Sequence, residues 1–513
     1  KKCKRYRGKA MNRRKVSIQN TAIALISEIM VTVVGFLLPR SIMITYGSET
    51  NGLITSLQQF IQYFTLLDAG LSGAAIFALY KPLSNGDVNT IERILYSAKQ
   101  MYGKLGKAFI ILVMISSLLY PYFIAETGYS HLTVTVLFCM IGLNGAMQLL
   151  FIGKYKVLLN ASQNSRYIAV INSLSTCLYS INIIIASSLH WNIVAAIGFG
   201  TLAYVIRAIA YYTVVRRLFP HYDFHKCENQ YHFENQTEVF IQQILSLLIL
   251  NSSTLILAFT KTRMNEISVF TTYNMVLTAI FLVTNAVNTG VSASFGDLIA
   301  RHDENKLTQV YKEYEVLFQA FWIIVFSCVL VLYQPFMRLY TEGIEDAAYI
   351  RPELCFLCSI LGALWVIRNQ KSVIIVAAGK FKEIQRGSIV EAILTITLSF
   401  VGLVFWGLEG LIAGRCIAAG YRVVDFIQFS SCNVVMINTR YTIQQICIST
   451  VFVMLVYFAA HKIQIFFLVD TYVKWGMFAF VTAILAAFLA IGFILINKGN
   501  ISWIQKKLEK DRK

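Results

Sequence analysis

Proline and charge are both scarce in this chain. Six prolines and 14% charged residues over 513 positions leave little room for Pro-rich linkers or a disordered polar segment. The charge also falls far below the roughly 25% of a soluble domain. Catalytic signatures are missing as well. No Walker A, G-x-S-x-G or H-E-x-x-H motif occurs, so the sequence supports neither ATP hydrolysis nor a standard hydrolase. Nor is any outer connection long enough to carry the catalytic loop of a membrane-embedded polysaccharide polymerase or ligase. Cys355 and Cys358 form a C-x-x-C pair, but in an apolar run without a second pair or a nearby His. His221, His225 and His232 share a polar loop at spacings that match no ligand set. We expect no metal, cofactor, disulfide or enzymatic activity.

What is present is apolar: 57% of residues are hydrophobic and the mean hydropathy is +0.60. A membrane-spanning helix needs about 20 largely apolar residues. That rule places fourteen spans, at 18–45, 53–79, 108–125, 132–152, 167–189, 192–213, 239–260, 268–296, 316–337, 353–378, 387–406, 409–430, 443–461 and 474–497. The expected fold class is an all-α polytopic membrane protein. The inner segment Asp87–Lys107 repeats Val88, Ile91, Leu95 and Ala98 at helical spacing, which predicts an amphipathic helix lying along the headgroups. Ser84-Asn85-Gly86-Asp87 before it reads as a turn with a helix cap.

The net charge of +18 would suggest nucleic acid in a soluble protein, but its distribution points to a membrane surface. Residues 1–15 hold nine basic groups and no acid, and Lys498–Lys513 adds six more. With the N-terminus inside, cytoplasmic segments and ends hold 33 of the 45 Lys and Arg, and outer loops hold six. This positive-inside bias predicts two cytoplasmic termini. Met11 reads as a plausible start, and no cleavable signal precedes the first span.

A polar loop near the middle prompts a search for repeats. An offset of 217 brings the first span onto the seventh. At offset 213, Leu119-Tyr120-Pro121-Tyr122-Phe123 falls on Leu332-Tyr333-Gln334-Pro335-Phe336. Six spans separate the copies, an even number, so the halves run parallel. The expected architecture is two six-helix bundles around a central cavity, plus two C-terminal helices. The expected segments are a basic N-terminus at 1–16, bundles at 17–215 and 239–431, a cytoplasmic linker at 216–238, two further spanning helices at 443–497 and a basic tail at 498–513.

Ionisable groups inside spans are costly, and each is a functional candidate. Glu28 and Asp68 lie in the first half, as groups for ion coupling or gating. Arg368 and Lys371 share one face of the tenth span. Arg415 and Arg422 share a face of the twelfth, with Asp425 positioned to pair with Arg422 at i+3 and join the gate. Arg40 follows Pro39, and Arg207 lies in the sixth span. These six cations suit an anionic headgroup, because the arginine fork bonds two phosphate oxygens at once. The alternative is snorkelling and internal pairing, especially for Arg207 and Lys371. Glu391 reads as shallow enough to reach water. Asn144, Asn285 and Asn288 read as interhelical hydrogen bonds.

Tyr46-Gly47-Ser48-Glu49-Thr50-Asn51-Gly52-Leu53, Asp68-Ala69-Gly70-Leu71 and Ala78-Leu79-Tyr80-Lys81-Pro82-Leu83 resemble the Wzx-type polysaccharide (O-antigen and capsule oligosaccharide) flippases. These belong to the multidrug/oligosaccharidyl-lipid/polysaccharide exporter superfamily. The resemblance covers roughly residues 14–500. It implies a bacterial cytoplasmic-membrane flippase working by alternating access on undecaprenyl-diphosphate-linked oligosaccharide. H+ or Na+ is then the candidate coupling ion, and membrane lipids and other polysaccharide-assembly proteins are the candidate partners. A cation-coupled multidrug exporter and a lipid II flippase of the same fold are the alternatives.

Overall fold

The computed structural model describes residues 13–222, 231, 237–300, 303–466 and 469–500. All fourteen expected spans fall on helices. α1 (Arg13–Tyr46), α2 (Ser48–Phe64), α3 (Leu66–Asn85), α4 (Val88–Phe123) and α5 (His131–Met147) come first. α5 passes through a π-turn at Gln148–Ile152 into α6 (Gly153–Ala161), followed by α7 (Ser165–Ser188) and α8 (Ile193–Leu218). The second half holds α9 (Thr237–Phe259), α10 (Met264–Ala300), α11 (Glu304–Tyr340), α12 (Pro352–Ala377), α13 (Phe381–Ser430), α14 (Thr439–Phe466) and α15 (Tyr472–Ile496). Among the described residues, eleven stretches are long and apolar enough to cross a membrane. This is a multi-pass membrane protein.

Two segments take a form that hydropathy did not foresee. The span expected at 53–79 divides into α2 and α3. Thr65 and Asp68 each bond to a carbonyl three residues back (Gln62 O at 3.1 Å, Thr65 O at 3.0 Å), which tightens the helix locally. Spans 387–406 and 409–430 are separate helices as expected: they form the two arms of α13, which fold back at Trp406 and Gly407. Gly407 takes φ +65°, open to glycine at little cost.

The second difference corrects the Asp87–Lys107 expectation. This segment does not form a separate headgroup helix; it is the start of the 36-residue α4. Ile91, Ile94, Leu95, Ala98 and Tyr102 are buried against protein, so its apolar face serves packing. The cap is as expected: Gly86 is left-handed, and Asp87 Oδ1 accepts from Thr90 N at 3.1 Å.

The chain divides into two compact units, one of residues up to 247 with 254–271, the other of 248–253 with 272 onward. Two long helices, one in each unit, share local features. α4 and α11 run 36 and 37 residues, and each starts at an aspartate cap, Asp303 Oδ1 accepting from Lys306 N at 3.1 Å. Each carries its proline near the far end, Pro121 or Pro335.

The Tyr46–Leu53 sequence is a clasp within the first unit. Glu49 Oε1 accepts from Gly128 N at 2.6 Å, Thr50 and Tyr129 hydroxyls meet at 2.7 Å, and Asn51 Nδ2 donates to Ser268 Oγ at 2.7 Å. A Cβ on Gly52 would overlap the carbonyl of Met264. Only glycine allows this approach between α2 and α10, as is usual for helices packed without a hydrophobic driving force.

Candidate functional site

The second unit gathers the intramembrane cations on α12 and α13, but as two groups. In the first, Glu391 on the near arm of α13 bridges Arg368 and Arg422. Arg368 Nη1 pairs with Glu391 Oε1, and Arg422 Nε lies 3.4 Å from Glu391 Oε2. Arg422 then spends its remaining donors on Asp425 Oδ2 at 2.6 Å, Ile384 O at 3.1 Å and Ser388 Oγ at 2.5 Å. Its guanidinium carbon sits 4.1 Å from the Phe426 ring centre. Two arginines face two carboxylates, so the group is neutral. This matters energetically, because an uncompensated charge here would be strongly destabilising. Arg368 and Asp425 are its solvent-accessible members, with 22% and 35% of their side chains exposed. Glu391, expected to reach water, is instead buried at 2% exposure. The return of the hairpin arm covers it, and a linear span cannot show that.

Arg415 lies two helical turns before Arg422. It stacks 4.9 Å over the Trp365 ring, one turn before Arg368 on α12. The α12–α13 interface therefore carries a neutral ion-pair layer and, two turns away on α13, the Arg415–Trp365 stack.

Lys371 belongs to the second group, on another face of α12. It does not snorkel: lysine and partner are both fully buried. Nζ donates to Glu315 Oε1 at 2.6 Å and to the Tyr311 hydroxyl at 3.1 Å, while Thr442 donates to Glu315 Oε2 at 3.2 Å. Gln319, Gln370 and Ser449 continue this polar layer across α11, α12 and α14. Sequence reasoning missed Glu315, which precedes the expected 316–337 span by one residue. The signal was the charge placed one position outside an apolar run whose helix begins at Glu304.

In the first unit the candidates lie apart. Arg207 is 9% exposed. Its Nη2 donates to Asn144 Oδ1 at 2.6 Å, and its guanidinium lies 5.4 Å from the Tyr204 ring. In the second unit, Asn285 accepts from Asn369 at 2.6 Å and Asn288 accepts from Tyr314 at 2.8 Å, so these two, like Asn144, make the expected interhelical bonds. Arg40 is half-buried on α1. Glu28, a coupling or gating candidate on α1, has an exposed side chain. His221 is exposed on the loop, whereas His225 and His232 lie outside the described residues.

Asp68 lies beside a polar cavity in the first unit. It sits in the first turn of α3, just after the tightened Thr65 turn. A cavity of about 400 Å³ opens beside it, lined among others by Thr65, Ser72, Gly73, Gln148 and Gln243. Gln148 begins the π-turn after α5, and π-turns frequently occur at functional sites. The Tyr102 hydroxyl interacts with the Asp68 carboxylate, yet Asp68 Oδ1 is buried with no hydrogen-bond partner among the described residues. A buried carboxylate oxygen left open next to a polar cavity is suited to a cation or proton.

No protein-family model matches the chain, and no curated protein matches it. Solved structures do. The lipid II flippase MurJ in an inward closed conformation aligns with a TM-score of 0.64 at 14% identity, over 93% of this chain and 98% of that one. An inward-facing multidrug-resistance MATE family transporter of the MOP superfamily aligns with a TM-score of 0.58 at 15% identity, over 80% of this chain and 93% of that one. A MOP superfamily transporter from Pyrococcus furiosus, described as having a binding pocket of reverse polarity, gives 0.54 at 14% identity, over 82% and 95%. At such identities the likeness is one of fold: the chain adopts the fold of the MOP superfamily transporters.

Proposed function

We propose that this protein is a flippase that carries an undecaprenyl-diphosphate-linked oligosaccharide across the bacterial cytoplasmic membrane by alternating access, for surface polysaccharide assembly. The observation that carries this reading is the Arg368–Glu391–Arg422 group. Its two guanidiniums share one buried carboxylate, and Arg368 remains accessible. A diphosphate can take the place of Glu391 on Arg368, exchanging a single charge-assisted contact for a two-pronged one. Binding would then release Glu391 and Asp425 to change partners, which gives the cargo differential contacts in two states. Arg415, buried and stacked on Trp365, adds a further cation two turns along the same helix. Lys371, Arg40 and Arg207 serve the anionic cargo less directly, since the first is saturated by Glu315. The MurJ alignment covers more of this chain than the MATE alignments, which supports a lipid-linked cargo. Asp68, with its open oxygen, is the coupling group for H+ or Na+, and Glu28 a second candidate.

The test is reconstitution into proteoliposomes with a fluorescent undecaprenyl-diphosphate sugar, scoring its arrival at the opposite leaflet. Arg368→Ala should slow translocation about tenfold or more, the loss of at least ~1.4 kcal/mol of binding, with Arg368→Lys intermediate. Equal rates for wild type and Arg368→Ala would overturn the site. Transport of lipophilic cations without any lipid-linked sugar would instead establish the multidrug reading that the MATE alignments favour.

A further inference from the structure

Far along α11 and α14 from the cation groups lies a cleft of about 280 Å³ that the transport reading does not use. α11 contributes Gln334, Pro335 and Arg338, and α14 contributes Tyr457, His461 and Gln464. Arg338 is in the last turn of α11 and its side chain is exposed. Among the described residues no carboxylate pairs with it. The His461 ring lies flat against Tyr457, with centroids 5.9 Å apart and planes 9° from parallel. The cleft thus presents one exposed guanidinium, one imidazole held in place by stacking, and two carboxamides that can donate.

The depth of the cleft is marked by aromatic residues. At the start of α15, Trp475 Nε1 donates to Leu332 O at 3.3 Å, the Trp475 ring lies 5.8 Å from Phe336, and the Tyr472 hydroxyl donates to Leu339 O at 3.1 Å. Trp and Tyr gather where spanning helices meet the headgroups, the level of lipid phosphates. Below the cleft, Val451, Met454 and Phe458 are exposed on α14 at 58%, 40% and 62%. They recur at three- and four-residue spacing and lead on to His461, one turn further. An acyl chain lying on that stripe brings its phosphate to the cleft.

We propose that this cleft is a binding site for the phosphate group of an anionic membrane lipid, with the acyl chain lying along Val451, Met454 and Phe458. Arg338 forms the two-pronged contact for which guanidinium is preferred over ammonium. His461 and the carboxamides of Gln334 and Gln464 complete the oxyanion shell. The proposal does not depend on which cargo is transported.

The test uses the full chain in detergent, titrated separately with short-chain phosphatidylglycerol, with diacylglycerol of the same chain length, and with inorganic phosphate. Binding is followed by native mass spectrometry for the lipids and by thermal shift for all three. The expected result is saturable phosphatidylglycerol binding that weakens about tenfold or more in Arg338→Gln and also weakens in His461→Ala, with diacylglycerol and inorganic phosphate binding far more weakly. Both side chains are exposed, so the variants should keep the wild-type melting temperature without ligand; Arg338→Lys, which keeps the charge, should give intermediate affinity. Undiminished phosphatidylglycerol binding in Arg338→Gln, or diacylglycerol binding as tightly, would overturn the site. Inorganic phosphate matching phosphatidylglycerol would overturn the lipid as its source.

Discussion

Gly387 faces Arg422 across the α13 hairpin, and the guanidinium fills the place where a side chain would begin. A Cβ at 387 would overlap both Arg422 Nη1 and the Asp425 carboxylate. Gly387→Ala should therefore displace Arg422 from Ser388 and Asp425 and cost about 1–3 kcal/mol, the range for overpacking. A drop in melting temperature together with slowed translocation is the expected outcome. An unchanged melting temperature would mean that the hairpin yields without strain.

The Lys371–Glu315 pair has no exposure, and so it separates structure from transport. Removing one partner leaves a buried charge without compensation, and Lys371→Met should cost about 3–5 kcal/mol. Lys371→Met with Glu315→Leu should recover most of that loss. A double-mutant cycle on thermal unfolding in detergent measures this coupling, and additive losses would argue against the pair.

Asp68→Asn tests the open carboxylate oxygen. The substitution keeps the shape and the contact with Tyr102, while removing the charge that attracts a cation. We expect translocation to lose most of its dependence on an imposed ion gradient, read as the ratio of rates with and without the gradient. An unchanged ratio would take Asp68 out of the coupling scheme.

Asp87, outside the membrane, offers a pH test. Its bonds to the Thr90 side chain and backbone hold its carboxyl below the ordinary value. A lowered folded-state value means that the cap stabilises α4 above the unfolded value and fades as pH falls through the folded one. Hydrogen exchange at Thr90 and Ile91, compared with Asp87→Asn at each pH, should show the wild type losing protection on acidification relative to the asparagine variant. Asparagine caps about as well without titrating.

Much of the scaffold was legible in the chain. Long apolar runs located the eleven stretches that can cross a membrane among the described residues, because lipid offers the backbone no other hydrogen-bond partner than its own helix. The Asp425–Arg422 pair followed from i+3 spacing, and the Asp87 cap from its turn residues. Glu391 and Glu315 were not legible in the same way: one sits beneath a folded-back arm, the other at the margin of an apolar window. Their exposure depends on which helix packs above them.

The sequence by itself determined that this is a helical membrane protein, where its spans lie and which charges enter them, since hydropathy and helical period are properties of neighbouring residues. Only the tertiary structure decided how those charges are matched. Lys371 finds Glu315 56 positions away, and Arg368 and Arg422 meet at Glu391 through the return of the α13 hairpin. Partner choice for a buried ion depends on the rotation and depth of packed helices, and a one-dimensional pattern contains neither.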